Sequence, residues 1–281
     1  MKNILVATDF SKEAYCALHY ATRLFQEKDN KFYIVNFIGD KVQPTVYSGI
    51  NEMEFSKLAK LKQDSEIECL STKHQIVRDS EFSSDNFETI SSENKLLPGI
   101  KDLIKTYQID VVVMGTRKHS GTLASIQGTN TTRVIDKGIQ VPLLIIPREL
   151  EYTEPKKIAF ASELIYDYNF DALQELKDIA LAHRSRIILV HDGDETEVSQ
   201  RQWKNYNAFK SFFGEVPVEL EFYHSHYEVS RTIAKFVKEK KMDMLSMAYY
   251  RHSAAGRLFR EPTVEKIDRH LSFPFLILPQ A

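Results

Sequence analysis

A chain of 281 residues with 37 Lys and Arg against 39 Asp and Glu has a formal net charge of −2, which leaves no electrostatic footprint for nucleic acid or an anionic membrane. Cys16 and Cys69 are its two cysteines, far apart and without close His partners, which excludes a disulfide framework and a zinc site. No apolar leader and no apolar run long enough for a bilayer is present, so a cytoplasmic location is expected.

Ile4 to Ala7 is a short apolar run ended by Thr8-Asp9-Phe10-Ser11, the pattern of a strand buried on both faces. Ser11 opens a helix with apolar or small residues at Ala14, Ala17, Leu18, Ala21 and Leu24. Lys31 to Ile38 reads as a second strand, and Asn51 to about His74 as a second helix. Asn86 to Ile90 alternates like a short strand. Leu96 to Tyr107 is a third helix, with Pro98 near its start. Ile109 to Met114 is a uniformly apolar fourth strand. A short helix is expected over Asn130 to Lys137 and a fifth strand over Val141 to Ile146. The second half repeats the plan. Its strands are Lys157 to Ala161, Arg186 to Val190, Val218 to Tyr223, Asp243 to Met247 and Phe275 to Leu278. Its helices are Asp171 to Ala182, about Glu197 to Phe213, Val229 to Lys240 and Val264 to His270. Strands alternating with helices make βαβ units and a mostly parallel sheet.

Three segments recur in order. Lys2-Asn3-Ile4-Leu5-Val6-Ala7-Thr8-Asp9 returns as Lys156-Lys157-Ile158-Ala159-Phe160-Ala161-Ser162-Glu163. Ile109 to Gly115 returns as Met242 to Ala248, and Val141 to Pro147 as Phe273 to Pro279. This is a duplicated domain, 1–148 and 155–281, joined by a short polar linker from about Arg148 to Pro155.

Three of the 10 glycines, Gly115, Gly121 and Gly128, fall between the fourth strand and the next helix. Glycine at a strand's carboxyl end lets backbone approach a ligand closely. Gly128-Thr129-Asn130 at a helix start offers free N–H groups and a hydroxyl to an anion. In an open parallel sheet, ligands sit beyond the carboxyl ends of strands at the point where the winding reverses. Asp9 and Gly115 both face that crevice if the first and fourth strands are neighbours.

These residues make the chain resemble the universal stress protein family in its tandem-domain form. Nucleotide-binding members of that family carry Gly, two residues, Gly, nine residues, then Gly-Ser or Gly-Thr. Here Gly115, Lys118, Gly128 and Thr129 stand at those places, so the spacing is kept and the second glycine is a lysine. The resemblance implies an α/β fold of two tandem Rossmann-like, adenine-nucleotide α-hydrolase-like domains, each an open five-stranded parallel sheet flanked by helices. It also implies an adenine nucleotide, ATP with Mg²⁺ or AMP, at the first half. Ala7, Thr8, Asp9 and Phe37 would hold the adenosine. Met114 and Gly115 would lie beside ribose and phosphates, and Gly128, Thr129 and Asn130 would cap the phosphates. Lys118 either crowds the phosphates or pairs with them. Family members pair through their last strands. Leu143 to Ile146 and Phe275 to Leu278 would accordingly lie antiparallel, making the chain its own pseudo-dimer, with a further homodimer and a protein partner both allowed.

The second copy departs from the motif: Gly115, Lys118, Gly128 and Thr129 become Ala248, Arg251, Glu261 and Pro262, and Asp9 becomes Glu163. A carboxylate repels phosphate and proline lacks an N–H donor, so this half is expected not to bind ATP and to serve as a partner surface or structural half. The expected function is a stress-response protein whose first domain acts as a nucleotide sensor or regulatory binding module. The competing reading is a nucleotide-free interaction scaffold with both sites degenerate, in which Asp9 merely caps a helix and Gly115 and Gly121 are ordinary loop glycines. An enzyme ranks last: no Gly-x4-Gly-Lys-Ser/Thr loop is present, so at most slow incidental ATP hydrolysis is expected. The paired His119-Ser120 and His252-Ser253 read as inherited loop sequence. His191, Asp192, Asp194, His224 and His226 read as loop polarity rather than metal ligands, and Trp203, Tyr206, Phe209, Phe212 and Phe213 as core or domain contact.

Overall fold

The computed structural model describes residues 1–41, 52–116, 134, 139–147, 150–223, 229–250 and 272–280. It divides into two compact units, Met1–Arg117 and Lys118–Ala281.

The first unit carries β1 (Asn3–Ala7), β2 (Lys31–Phe37), β3 (Phe87–Ser92) and β4 (Val111–Thr116), all parallel in the order β3-β2-β1-β4. Ile4, Leu5 and Val6 of β1 are fully buried, which is why an unbroken apolar run rather than an alternating one encodes this strand. Helix α1 (Lys12–Leu24) starts at Ser11, whose side chain accepts from the Ala14 N–H at 3.2 Å. It buries Ala14, Ala17, Leu18, Ala21 and Leu24 against β4 and β1. Helix α2 (Glu52–Asp79) packs on β3 and β2 through Ser65, Cys69 and Ile76. It runs five residues past the expected end at His74, because Ile76 is buried and Asp79 accepts a hydrogen bond from the Tyr15 hydroxyl of α1. Helix α3 (Leu96–Thr106) places Pro98 in its first turn, where a missing N–H costs nothing.

The second unit orders β6 (Lys157–Ala161), β7 (Arg186–His191), β8 (Val218–Phe222), β9 (Met244–Tyr250) and β10 (Phe275–Gln280) as β8-β7-β6-β9-β10, again all parallel. Strand β5 (Leu143–Pro147) belongs to the same compact unit and lies antiparallel to β10, with Phe275 opposite Ile145, Leu276 opposite Leu144 and Ile277 opposite Leu143. This is the pairing expected of the two last strands, and every one of those side chains is buried. Helices α4 (Phe170–Ala182), α5 (Gln200–Phe213) and α6 (Val229–Glu239) complete the six described helices. A capping box at Ser199 and Gln202 starts α5, and Gly214 ends it at φ 61°. Phe209 and Phe213 of α5 are buried, the Phe209 ring 4.8 Å from Phe160, so these two of the aromatic stripe are core, while Trp203, Tyr206 and Phe212 are half-buried. The helices expected near Asn130 to Lys137 and Val264 to His270 lie outside the described residues, apart from the helical, buried Val134.

The duplication extends to atomic detail. Phe10 and Leu164, matched by the repeat, both adopt left-handed backbone, φ 64° and 59°; so do Gln108 and Lys241, φ 50° and 52°. The Asp110 carboxylate accepts from the Asn3 N–H at 2.7 Å, and the Asp243 carboxylate from the Lys157 N–H at 2.8 Å. Each clamp joins the start of the first strand of its repeat to the start of the fourth.

Candidate functional site

In the first unit α1 and α2 follow β1 and β2 outward, whereas α3 returns the chain to β4 on the other side of β1. The winding therefore reverses between β1 and β4, and the crevice of an open α/β sheet falls beyond their carboxyl ends. Ala7 pairs with Met114 at that point, and Thr8, Asp9 and Gly115 follow directly. Asp9 is solvent-exposed at this mouth. Its Oδ1 accepts from the Ser11 N–H at 3.1 Å and from the Ser11 hydroxyl, an Asx turn that sets the helix N-cap. Gly115 has a sharper reason to be glycine than ligand approach: a Cβ there would stand 2.4 Å from the Glu13 carbonyl oxygen, so the first turn of α1 lies directly on it. Phe37 ends β2 with its ring pressed against Gly99 of α3, where an added Cβ would lie 2.5 Å from Phe37 Cε1. Phe37 therefore offers backbone, not its ring, to the strand ends. Lys118, Gly128, Thr129 and Asn130 lie outside the described residues, as do His119, Ser120, Gly121, His224, His226, Arg251, His252, Ser253, Glu261 and Pro262.

Two residues absent from the sequence-based set organise this end of the sheet. Asn36, buried at the end of β2, donates to the Thr8 carbonyl at 2.6 Å and accepts from the Ser65 hydroxyl at 3.0 Å. Thr8 itself donates its N–H to Val35 at 2.8 Å, and its hydroxyl accepts from the Phe10 N–H at 2.9 Å. A chain of bonds thus runs from α2 to the backbone carrying Asp9. The one signal for it in the sequence is a lone amide inside the apolar run of β2. One turn beyond Ser65, burial pushes the Cys69 thiol up to about 11 against hydrogen bonds from Asn36 and Ser65. A raised folded value disfavours the thiolate in the native state. The resulting stabilisation is complete below the unfolded thiol's value of about 8.5 and is lost as pH rises towards about 11. Urea unfolding of wild type against Cys69→Ala should show this extra alkaline loss in wild type alone. At pH 8, a disulfide reagent should modify the half-buried Cys16 well before Cys69, which is buried.

In the second unit the winding reverses between β6 and β9. His191 replaces Asn36: its Nδ1 lies 3.2 Å from the Ser162 carbonyl and must carry the proton, since a carbonyl only accepts. Glu163, in the place of Asp9, is buried rather than exposed, and Ala248 is buried where Gly115 stood. Among the described residues no three His, Cys, Asp or Glu side chains are placed to hold a metal ion. No described helix is long and apolar enough to cross a membrane.

Fold and crevice together define a doubly wound α/β repeat of the Rossmann-like, adenine-nucleotide α-hydrolase-like class. The family model for the universal stress protein family matches residues 1–147, and the chain belongs to that family, in its tandem form. A universal stress protein from Archaeoglobus fulgidus matches over 99% of this chain and 98% of its own, at 12% identity and a TM-score of 0.67. A protein of unknown function from Pseudomonas aeruginosa matches over 100% of this chain and 93% of its own, at 12% identity and a TM-score of 0.57. The cytoplasmic domain of a prokaryotic cation chloride cotransporter matches over 99% of this chain and 95% of its own, at 9% identity and a TM-score of 0.52. At these identities the likeness is one of fold. No curated protein matches the chain in sequence.

Proposed function

We propose that the first half is a cytoplasmic adenine-nucleotide sensor, a regulatory binding module of the stress-response type rather than an enzyme. The observation that carries this reading is the exposed Asp9 carboxylate beside Met114 and Gly115 at the β1–β4 switch point. A carboxylate there suits ribose hydroxyls, and the bonds from Asn36 and Ser65 keep the Thr8 carbonyl in place beside it. Gly128, Thr129 and Asn130, with Lys118, would meet the phosphates of ATP with its Mg²⁺, or of AMP. Nucleotide would order the 115–129 loop, and a protein partner would read that state. Antiparallel β5 and β10 support an intramolecular pseudo-dimer of the two repeats. Bound nucleotide at a hundredfold excess over Kd should stabilise the fold by about 2.7 kcal/mol. Thermal shift with ATP, AMP or cyclic AMP, with and without Mg²⁺, reads this directly. The Asp9→Ala, Gly128→Glu double variant should lose the shift; a shift that survives both changes puts the ligand elsewhere.

Two observations favour the second reading, a nucleotide-free scaffold: Asp9 already accepts from Ser11, and α1 backbone already covers Gly115. Under that reading no nucleotide moves the melting temperature at millimolar concentration.

A further inference from the structure

The two repeats differ most where the first strand hands over to the first helix. In the first half that loop is residues 8–11, four residues; in the second it is residues 162–169, eight. The longer segment leaves β6 at Ser162, whose N–H donates to Val190 at 3.1 Å. It ends at Asn169, whose N–H donates to Gln280 Oε1 at the end of β10, 2.7 Å away. Strand β9 lies between β6 and β10, so the segment crosses the β6–β9 switch point, the place at which the first half has its crevice. Ile165, Asp167 and Asn169 face solvent, and the residues between them turn inward. Leu164 is 1% exposed and Tyr168 9%. The Tyr168 hydroxyl meets Ser162 Oγ at 2.5 Å, and its ring lies 5.3 Å from Phe209 and 6.0 Å from Phe160. Helix α5 pins the segment from above: Gln202 donates to the Glu163 carbonyl at 2.9 Å, and the buried Asn205 to those of Leu164 at 2.8 Å and Tyr166 at 3.1 Å.

We propose that residues 162–169 are a built-in occupant of the second half's crevice, with Tyr168, which has no counterpart in the shorter first-half loop, filling the space that the first half keeps for a ligand. The second half is then closed without a ligand, and any nucleotide response of the chain comes from one site. This rests on reading the first-half crevice as the ligand site. The cause is visible in the repeat. At Gly115 the first turn of α1 sits on bare backbone; at Ala248 a methyl group takes that room, and α4 begins only after the longer crossing.

The test removes the occupant. Tyr168→Ala should lower the melting temperature by about 5 °C or more and speed hydrogen exchange across 163–169. Millimolar p-cresol should restore part of that loss and leave wild type unmoved. Asn205→Ala keeps the ring and cuts two pins, so exchange should quicken over 164–167 without any p-cresol response. Should Tyr168→Ala not fold, Tyr168→Leu gives the exchange readout in a milder form. Wild-type melting and exchange in Tyr168→Ala, or equal p-cresol shifts in both proteins, would overturn the proposal. An ATP shift, if present, should be the same in wild type and Tyr168→Ala. Its absence from both would count against the nucleotide reading while leaving the p-cresol result standing.

Discussion

Replacing Gly115 by alanine should cost about 1–3 kcal/mol of unfolding free energy, seen as a lower urea midpoint at unchanged slope. The new methyl would sit 2.4 Å from the Glu13 oxygen and 2.7 Å from its carbonyl carbon. Both are backbone atoms of the first turn of α1, so no side chain can swing away to make room. The helix must lift off β4, and with it goes the Ser11 cap to which Asp9 is bonded. Nucleotide affinity should therefore fall together with stability. The reciprocal change, Ala248→Gly, should bring no stabilisation, because Ala248 is already accommodated and fully buried. A Gly115→Ala protein as stable as wild type would show that α1 does not rest on β4 in this way.

Replacing Asn36 by alanine should cost about 2–3 kcal/mol, since it strips partners from two groups at once. The Thr8 carbonyl loses its donor and the Ser65 hydroxyl its acceptor, both at a buried position. Asn36→His should be milder, because the second half already uses His191 to donate to the matching Ser162 carbonyl. A double-mutant cycle with Ser65→Ala should return a coupling of about 0.5 kcal/mol or more. Simple additivity would mean that α2 does not act on the strand end through Asn36. Loss of nucleotide response beyond the loss of stability would mark Asn36 as the residue that positions the Asp9 turn.

Much of this architecture is legible without coordinates. A strand covered on both faces must be apolar throughout, so Ile4 to Val6 and Val111 to Val113 announce themselves, and their copies confirm the reading. The Asp-containing turn at Thr8-Asp9 and the serine cap at Ser11 are equally local, because their bonds span two or three residues. The far end of α2 was not legible, since what extends it is Tyr15, 64 residues away. The steric constraint on Gly115 is not legible either: a glycine after a strand looks the same in sequence whether ligand or helix backbone lies over it.

Sequence alone determined the strand and helix order, the repetition of its segments and the parallel class, because each of these is written in periodicity or in repetition; the pairing of the last two strands followed only from the family resemblance. Only the tertiary structure decided which polar groups meet: Asn36 with Thr8 and Ser65, Asn205 with Leu164 and Tyr166, Asn169 with Gln280. Those bonds join residues 28 to 111 positions apart. A buried amide must find a partner somewhere, but nothing local to the chain says where, and so the pinning of segment 162–169 by Asn205 and Gln280 appears only in three dimensions.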